Sequence, residues 1–209
     1  MTSSEPPRKR MSSGERREQL LVVARSVFAE KGYDAVTVEE LAQRAGVTKP
    51  IIYEHFGGKE GIYAVIIDRE RSELMEAVRG ALAMRGARAR VEAAADAFLG
   101  YIETSPDGYR VLLRDTPQLE GALTTWGSVL GEVADQVDHL LARELDARGF
   151  DRKLAPIYSR GVIGLIGHIG QWWLETGTPS REVVAAHISN LVFNGLERLE
   201  ADPTLTIGR

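Results

Sequence analysis

The side chains best suited to chemistry crowd between residues 37 and 59: Thr37, Arg44, Thr48, Lys49, Pro50, Tyr53, Glu54, His55 and Lys59. They supply hydroxyls, cations, an imidazole and flat apolar surface, the groups that bond phosphate oxygens and the edges of base pairs. Such groups read a groove only if one short helix projects them while another braces it. The spacing provides both. Thr37-Val-Glu-Glu40 reads as a capping box, with Val36 and Leu41 as its hydrophobic staple. That helix carries Leu41, Ala42 and Ala45 and ends at Gly46. Thr48 can cap a second short helix that tolerates Pro50 in its first turn, and Gly57-Gly58 stops it. Ile52 and Phe56, four apart, form its inner side, which leaves the polar set outward or at the edges. A compact three-helix unit whose outward Lys and Tyr are merely solvated is the bland alternative.

The elements around this pair all read as helix. From Glu15 onward Leu20, Leu21, Ala24, Val27 and Phe28 recur at spacings of three and four, and Gly32 ends the run. Residues 62–84, 88–104, a short stretch with Tyr109, Leu112 and Leu113, then 118–148, 156–176 and 179–199 continue the helical pattern. No segment alternates with period two. The expected fold is all-α with about nine helices. It divides into a disordered basic arm (1–14), a helix-turn-helix DNA-binding domain (15–60) and a helical domain (61–209).

Residues 15–66 closely resemble the DNA-binding domain of the TetR family of bacterial transcriptional regulators. The resemblance rests on Phe28, Gly32-Tyr33, Thr37-Val38, Leu41-Ala42, Ala45-Gly46-Val47, Ile52-Tyr53-Glu54-His55-Phe56 and Lys59-Glu60. It implies a homodimeric repressor that releases an inverted-repeat operator when a small molecule enters the C-terminal domain. By position, base-edge contacts would fall on Lys49, Pro50 and Tyr53, and phosphate contacts on Thr37, Thr48, Tyr53, His55 and Lys59. Two residues depart from the family pattern. Gly58 replaces the usual Ser or Asn cap, and Gly61 stands where a helix-former is usual, at a cost of about 1 kcal/mol against Ala. A looser junction to the fourth helix is expected.

Charge and composition bound the rest. Net charge is −4, yet residues 1–60 hold ten basic and nine acidic groups while the remainder is net −5. A basic arm on an acidic body fits polyanion binding and also fits an ordinary tail. Zero Cys excludes disulfides, thiol nucleophiles and cysteine-ligated metal clusters. No signal peptide or membrane span is visible, so a soluble, cytoplasmic chain is expected. His139, His168 and His187 are dispersed, and no nucleophile elbow occurs, so neither a metal site, a cofactor nor a catalytic centre is expected. Asp135 and His139 read as a surface pair.

The C-terminal two-thirds suggests two further sites. Phe98, Tyr101, Tyr109, Trp126 and Trp172 are candidates to line a pocket for a hydrophobic effector, against the plainer reading of core aromatics. Gly161, Gly164, Gly167 and Gly170 repeat every third residue, which suits close helix approach at a dimer seam or a pocket wall. Gly161, Gly164, Gly167, Leu191 and Leu199 are the candidate interface. The rival reading is a helical small-molecule-binding protein or enzyme whose helix-turn-helix is scaffold only.

Overall fold

A computed structural model describes residues 11–114, 126–200 and 203–205, without the side chains of Trp126 and Ser128. Among the described residues there are nine α-helices and no strand. They are α1 (Ser13–Lys31), α2 (Val38–Ala45), α3 (Lys49–Phe56), α4 (Lys59–Leu82), α5 (Ala87–Thr104), α6 (Pro106–Leu113), α7 (Trp126–Ala147), α8 (Ala155–Thr176) and α9 (Arg181–Glu197). A 3-10 turn at Arg152–Leu154 leads into α8. Residues 118–125, expected to open α7, and the arm up to residue 10 lie outside the described residues.

The chain folds as a small head, α1 to α3, on a larger body, with α4 belonging to both. In the head, Leu20, Leu21, Ala24, Val27 and Phe28 of α1 bury against Leu41 and Ala42 of α2, Ile52 of α3, and Ile62 and Tyr63 of α4. Phe28 meets the edge of Tyr63 at 4.9 Å, and Tyr33 closes the group at 4.8 Å from Tyr63. Such ring pairs add about 0.5–1.5 kcal/mol each beyond their area. In the body, α4 packs on α5, α5 on α9 and α7 on α8.

Local signals explain the boundaries. Ser12 and Glu15 form a reciprocal capping box, so α1 starts at Ser13, two residues inside the stretch expected to be disordered. Thr37 caps α2 as expected, accepting from the Glu40 amide at 3.2 Å, but only half of the box forms. The Glu40 carboxylate turns instead to Lys31. Gly46 and Gly57 end α2 and α3 in the left-handed conformation that favours glycine. On the body, the partner of Asp135 is Arg160, at 3.0 Å, which also holds Asp138, in place of the expected His139.

Gly61 reverses an expectation. A Cβ there would lie 1.8 Å from the Phe56 carbonyl oxygen, so the glycine lets the first turn of α4 seat directly on the end of α3. The junction is tight rather than loose. Gly61→Ala must therefore push the two helices apart, although alanine is the better helix-former. We expect a loss of about 1–3 kcal/mol, as for other overpacked sites, read as a lower melting temperature. A variant as stable as the parent would show that α3 and α4 do not approach this closely.

Candidate nucleic-acid interface and cavity

Because Ile52 is fully buried and Phe56 half-buried, α3 turns its other side outward. Thr48, Lys49, Pro50, Tyr53 and Glu54 are exposed, and His55 is half-buried. Tyr53 leaves 54% of its surface in solvent, a large flat ring that rests one edge against Gly58. Thr48 occupies the cap position of α3, yet its side chain makes no cap hydrogen bond. Thr37 and Arg44 of the bracing segment are exposed as well.

The cations of this surface are paired within the chain. Lys49 meets Glu39, and Arg44 meets Glu30. All four side chains are largely solvated, so each pair is worth only about 0–1 kcal/mol. A phosphate or a guanine edge can replace the carboxylate at little cost. Lys59 is used differently: its ammonium donates to the Tyr33 carbonyl at 3.1 Å and sits 4.1 Å from the Tyr33 ring centroid. It braces the turn before α2 rather than standing outward. Arg17, which by sequence counts only among the basic groups of the N-terminal stretch, donates to the His55 carbonyl at 3.3 Å and lies 4.4 Å from the Phe56 ring centroid. It holds the end of α3 to α1. Its position, three and four residues before Leu20 and Leu21, puts it beside the buried stripe, a signal that was available.

The body contains a cavity of about 830 Å³ where the end of α4 and the start of α5 face α7, α8 and α9. Leu82, Val91, Leu140, Ile163, Phe193 and Leu196 are among its aliphatic and aromatic walls. A smaller space, sharing Ala94, Ile163 and Ile166 with it, reaches Leu74 and Val78 of α4 and Phe98 of α5. Phe98, Tyr101, Tyr109 and Trp172 do not line the large cavity. Phe98 borders the smaller space, and Trp172 is 47% exposed on α8. The neighbouring Trp173 is buried, its indole N–H donating to the Pro179 carbonyl at 2.8 Å. Tyr101 and Tyr109 are core residues. Tyr101 donates to the Glu70 carboxylate at 3.0 Å and Tyr109 to the Gly167 carbonyl at 3.2 Å. Burial raises the pKa of both phenols well above the usual value. Trp126's side chain lies outside the described residues.

The interface candidates also divide. Gly161 and Gly164 are exposed with open space where a Cβ would be, and Leu191 is 57% exposed. Gly167 is buried under the Tyr109 hydroxyl, and Gly170 receives the Phe98 ring, 2.4 Å from where its Cβ would stand. Leu199 is half-buried in the wall of the large cavity. A spacing of three carries these positions around the helix, so two of the glycines face inward. Among the described residues no three His, Asp or Glu side chains gather as a metal site would require, and no helix is long and apolar enough to cross a membrane.

Residues 20–66 match the family model described as bacterial regulatory proteins, tetR family, and residues 75–204 match the tetracyclin repressor-like C-terminal domain. The chain belongs to the TetR family of bacterial regulatory proteins. It is 33% identical over 172 residues to the HTH-type transcriptional activator FasR of Mycolicibacterium smegmatis, covering 81% of this chain and 77% of that protein. A TetR-like regulator from Rhodococcus sp. RHA1 superposes with TM-score 0.72 over 91% of this chain and all of that one, at 22% identity. The fatty acid degradation regulator FadR of Bacillus halodurans gives TM-score 0.70 over 93% of this chain and all of that one, at 17% identity. These two show the fold. The helix-turn-helix described above is thus the DNA-binding element of a TetR-family transcription regulator.

Two variants should separate base reading from phosphate contact on this TetR-family surface. Lys49→Ala should cost about 1–3 kcal/mol at one operator position and relax the preference there. Glu39→Gln should tighten binding several-fold on every sequence, because it removes a carboxylate that competes for Lys49 and repels phosphate. Anisotropy titrations against an operator and its single-base variants measure both. Uniform weakening by Lys49→Ala would assign that lysine to phosphate.

Proposed function

We propose that this chain is a homodimeric, ligand-responsive repressor that leaves an inverted-repeat operator when a hydrophobic small molecule occupies the body cavity. The observation carrying this reading is the cavity of about 830 Å³ against the end of the same helix that seats the DNA-reading head. Its volume falls in the range of about 300–1,000 Å³ used for small molecules. Moving the head from 99:1 to 1:99 between two arrangements takes about 5.5 kcal/mol of differential affinity. At about 25 cal/mol per Å², burying about 220 Å² of extra apolar surface suffices. The walls named above suit a mostly hydrocarbon ligand. FasR is named an activator, and release from DNA can serve either sign, depending on where the operator lies relative to the promoter.

Lys49, Pro50 and Tyr53 are our candidates for base contacts, and Thr37, Arg44, Thr48 and His55 for phosphates, with Lys59 at the margin. Dimerisation is assigned to α8 and α9, where Ile157, Trp172, Val183 and Leu191 leave 66%, 47%, 42% and 57% of their surfaces exposed. Gly161 and Gly164 lie on that face of α8, whereas Gly167 is excluded by its burial. A two-fold pair of heads demands half-sites about one helical turn or a multiple apart.

The test begins with DNA flanking the protein's own gene, footprinted and titrated by anisotropy. An inverted repeat should be protected. Ile163→Trp, which fills the cavity in place of a ligand, should lower operator affinity about five-fold or more, the usual scale of allosteric coupling. Leu191→Asp should give a helical monomer by light scattering and lose specific binding. Unchanged operator affinity in Ile163→Trp would sever the cavity from regulation; a dimeric Leu191→Asp would move the interface elsewhere.

A further inference from the structure

Glu70 sits midway along α4 and is 4% exposed. Its carboxylate accepts from Arg25 of α1 at 2.8 Å, from the Tyr101 hydroxyl of α5 at 3.0 Å and from the Ser105 hydroxyl at 2.8 Å. Arg25 also reaches the Ser105 hydroxyl at 3.3 Å. Gly108 of α6 makes room for the group: a Cβ there would lie 1.8 Å from Glu70 Oε2, the oxygen that accepts from Tyr101 and Ser105. One carboxylate therefore joins the DNA-reading head, α4 and the body. Burial opposes the charge on Arg25, but the bonded Glu70 outweighs it and raises the guanidinium's pKa.

We infer that Arg25 and Glu70 are positioning residues: their ion pair, built on the buried Glu70 carboxylate and held from the body side by Tyr101 and Ser105, sets the angle at which α3 is presented to DNA and makes that angle depend on the state of the cavity. The inference rests on the proposed role of the cavity.

Geometry supports coupling rather than mere adhesion. Arg25 lies on α1, whose buried stripe braces α2 and α3, so its direction fixes theirs. Tyr101 is on α5, whose opposite end, Gly86 to Ala94, lines the large cavity. Leu74, four residues after Glu70 on α4, borders the smaller adjoining space. A ligand that displaces α4 or α5 thus shifts the acceptor or a donor of the same knot. Hydrogen bonds to a buried carboxylate are strongly directional, and an unpaired charge there is expensive. The knot therefore favours one discrete arrangement over a continuum of angles.

A second contact runs parallel to it. Arg114, at the end of α6, donates to the Ala29 and Glu30 carbonyls of α1 at 2.9 and 3.3 Å. That contact engages only backbone carbonyls at a helix end, whereas the Glu70 knot centres on a buried carboxylate shared among elements.

The chain has no cysteine, so two introduced ones can carry spin labels without interference. Labels at Glu54→Cys on α3 and Asp146→Cys on α7, in protein diluted with unlabelled chain, report the head-to-body distance within one protomer. We expect one narrow distribution in the otherwise unaltered chain. Arg25→Gln, Gly108→Ala and Tyr101→Phe should each add a second population, while Arg25→Lys, which keeps the charge and a donor, should retain the narrow one. Circular dichroism checks folding; Tyr101→Phe removes a single hydroxyl and keeps the test open if Arg25→Gln fails to fold.

The operator effect of Ile163→Trp, about five-fold or more, should shrink to less than two-fold when Arg25→Gln or Tyr101→Phe is added. Folded Arg25→Gln and Tyr101→Phe proteins with the parental distance distribution would overturn the inference and leave the knot as a stabilising ion pair. If Ile163→Trp alone leaves operator binding unchanged, the cavity reading falls, and the distance distributions still decide the role of the knot.

Discussion

The backbone oxygen of Phe56 and the α-carbon of Gly61 lie so close that no side chain fits between them. Everything else about the molecule's mechanics follows from that contact. It ties the last turn of α3 to the first turn of α4, a helix of 24 residues, which at 1.5 Å per residue is about 36 Å long. A rigid rod of that length converts a small displacement at its far end into a comparable one at the reading helix. Arg17 closes the same end of α3 from the other side, through the His55 carbonyl and the Phe56 ring. The reading helix is short, eight residues, and would be marginal alone; it holds its shape because both its neighbours grip its C-terminal turn.

Polar groups are used in two distinct ways. On the outward face of the helix-turn-helix the ion pairs, Lys49 with Glu39 and Arg44 with Glu30, are solvated and cheap to break. At the junction of head and body the Glu70 carboxylate is buried while Arg25 keeps about a third of its side chain in solvent, so removing the arginine strands the carboxylate, the costly side of the pair. Exposed pairs therefore suit exchange with a polyanion, and the one anchored on a buried carboxylate suits holding a shape. The tyrosines follow the same division. Tyr53 offers its ring to solvent, while Tyr101 and Tyr109 spend their hydroxyls on a carboxylate and a backbone carbonyl inside the core.

The head was legible because its determinants are local. Caps, a staple, left-handed glycines and one apolar stripe lie within a few residues of one another, and each can be read without knowing the partner helix. Even there, Ser12 and Glu15 were passed over as a capping box because they fall in a polar, charged stretch. Glu70 shows what a longer view could have caught. It stands four residues after Ile66 and four before Leu74, in the middle of a buried stripe, and an acid at such a position needs a partner. The partner, Arg25, is 45 residues away, and no spacing rule names it. The cavity was illegible for a related reason: five helices contribute to it, and its volume is the space left between them rather than a property of any segment. Aromatic content pointed elsewhere because large rings mostly fill cores, and the apolar walls of the empty space are chiefly leucine, isoleucine and valine with one ring, Phe193.

The charge distribution constrains how such a protein can find DNA. The body carries an excess of five negative charges and the first sixty residues an excess of one positive charge, so at long range the chain as a whole is repelled by a polyanion. At physiological salt the screening length is about 8 Å, and groups farther than that from the phosphates contribute little. What remains near the duplex is the head, with Lys49 and Arg44 already half-neutralised by Glu39 and Glu30. The described part of the head therefore offers little non-specific attraction, and its affinity depends on close contacts made when the outward face of α3 enters a groove. Such contacts fall off within an ångström or two of misplacement. A weakly attractive head makes correct presentation of α3 decisive, and that gives the seat at Gly61 and the buried carboxylate at Glu70 their leverage over binding.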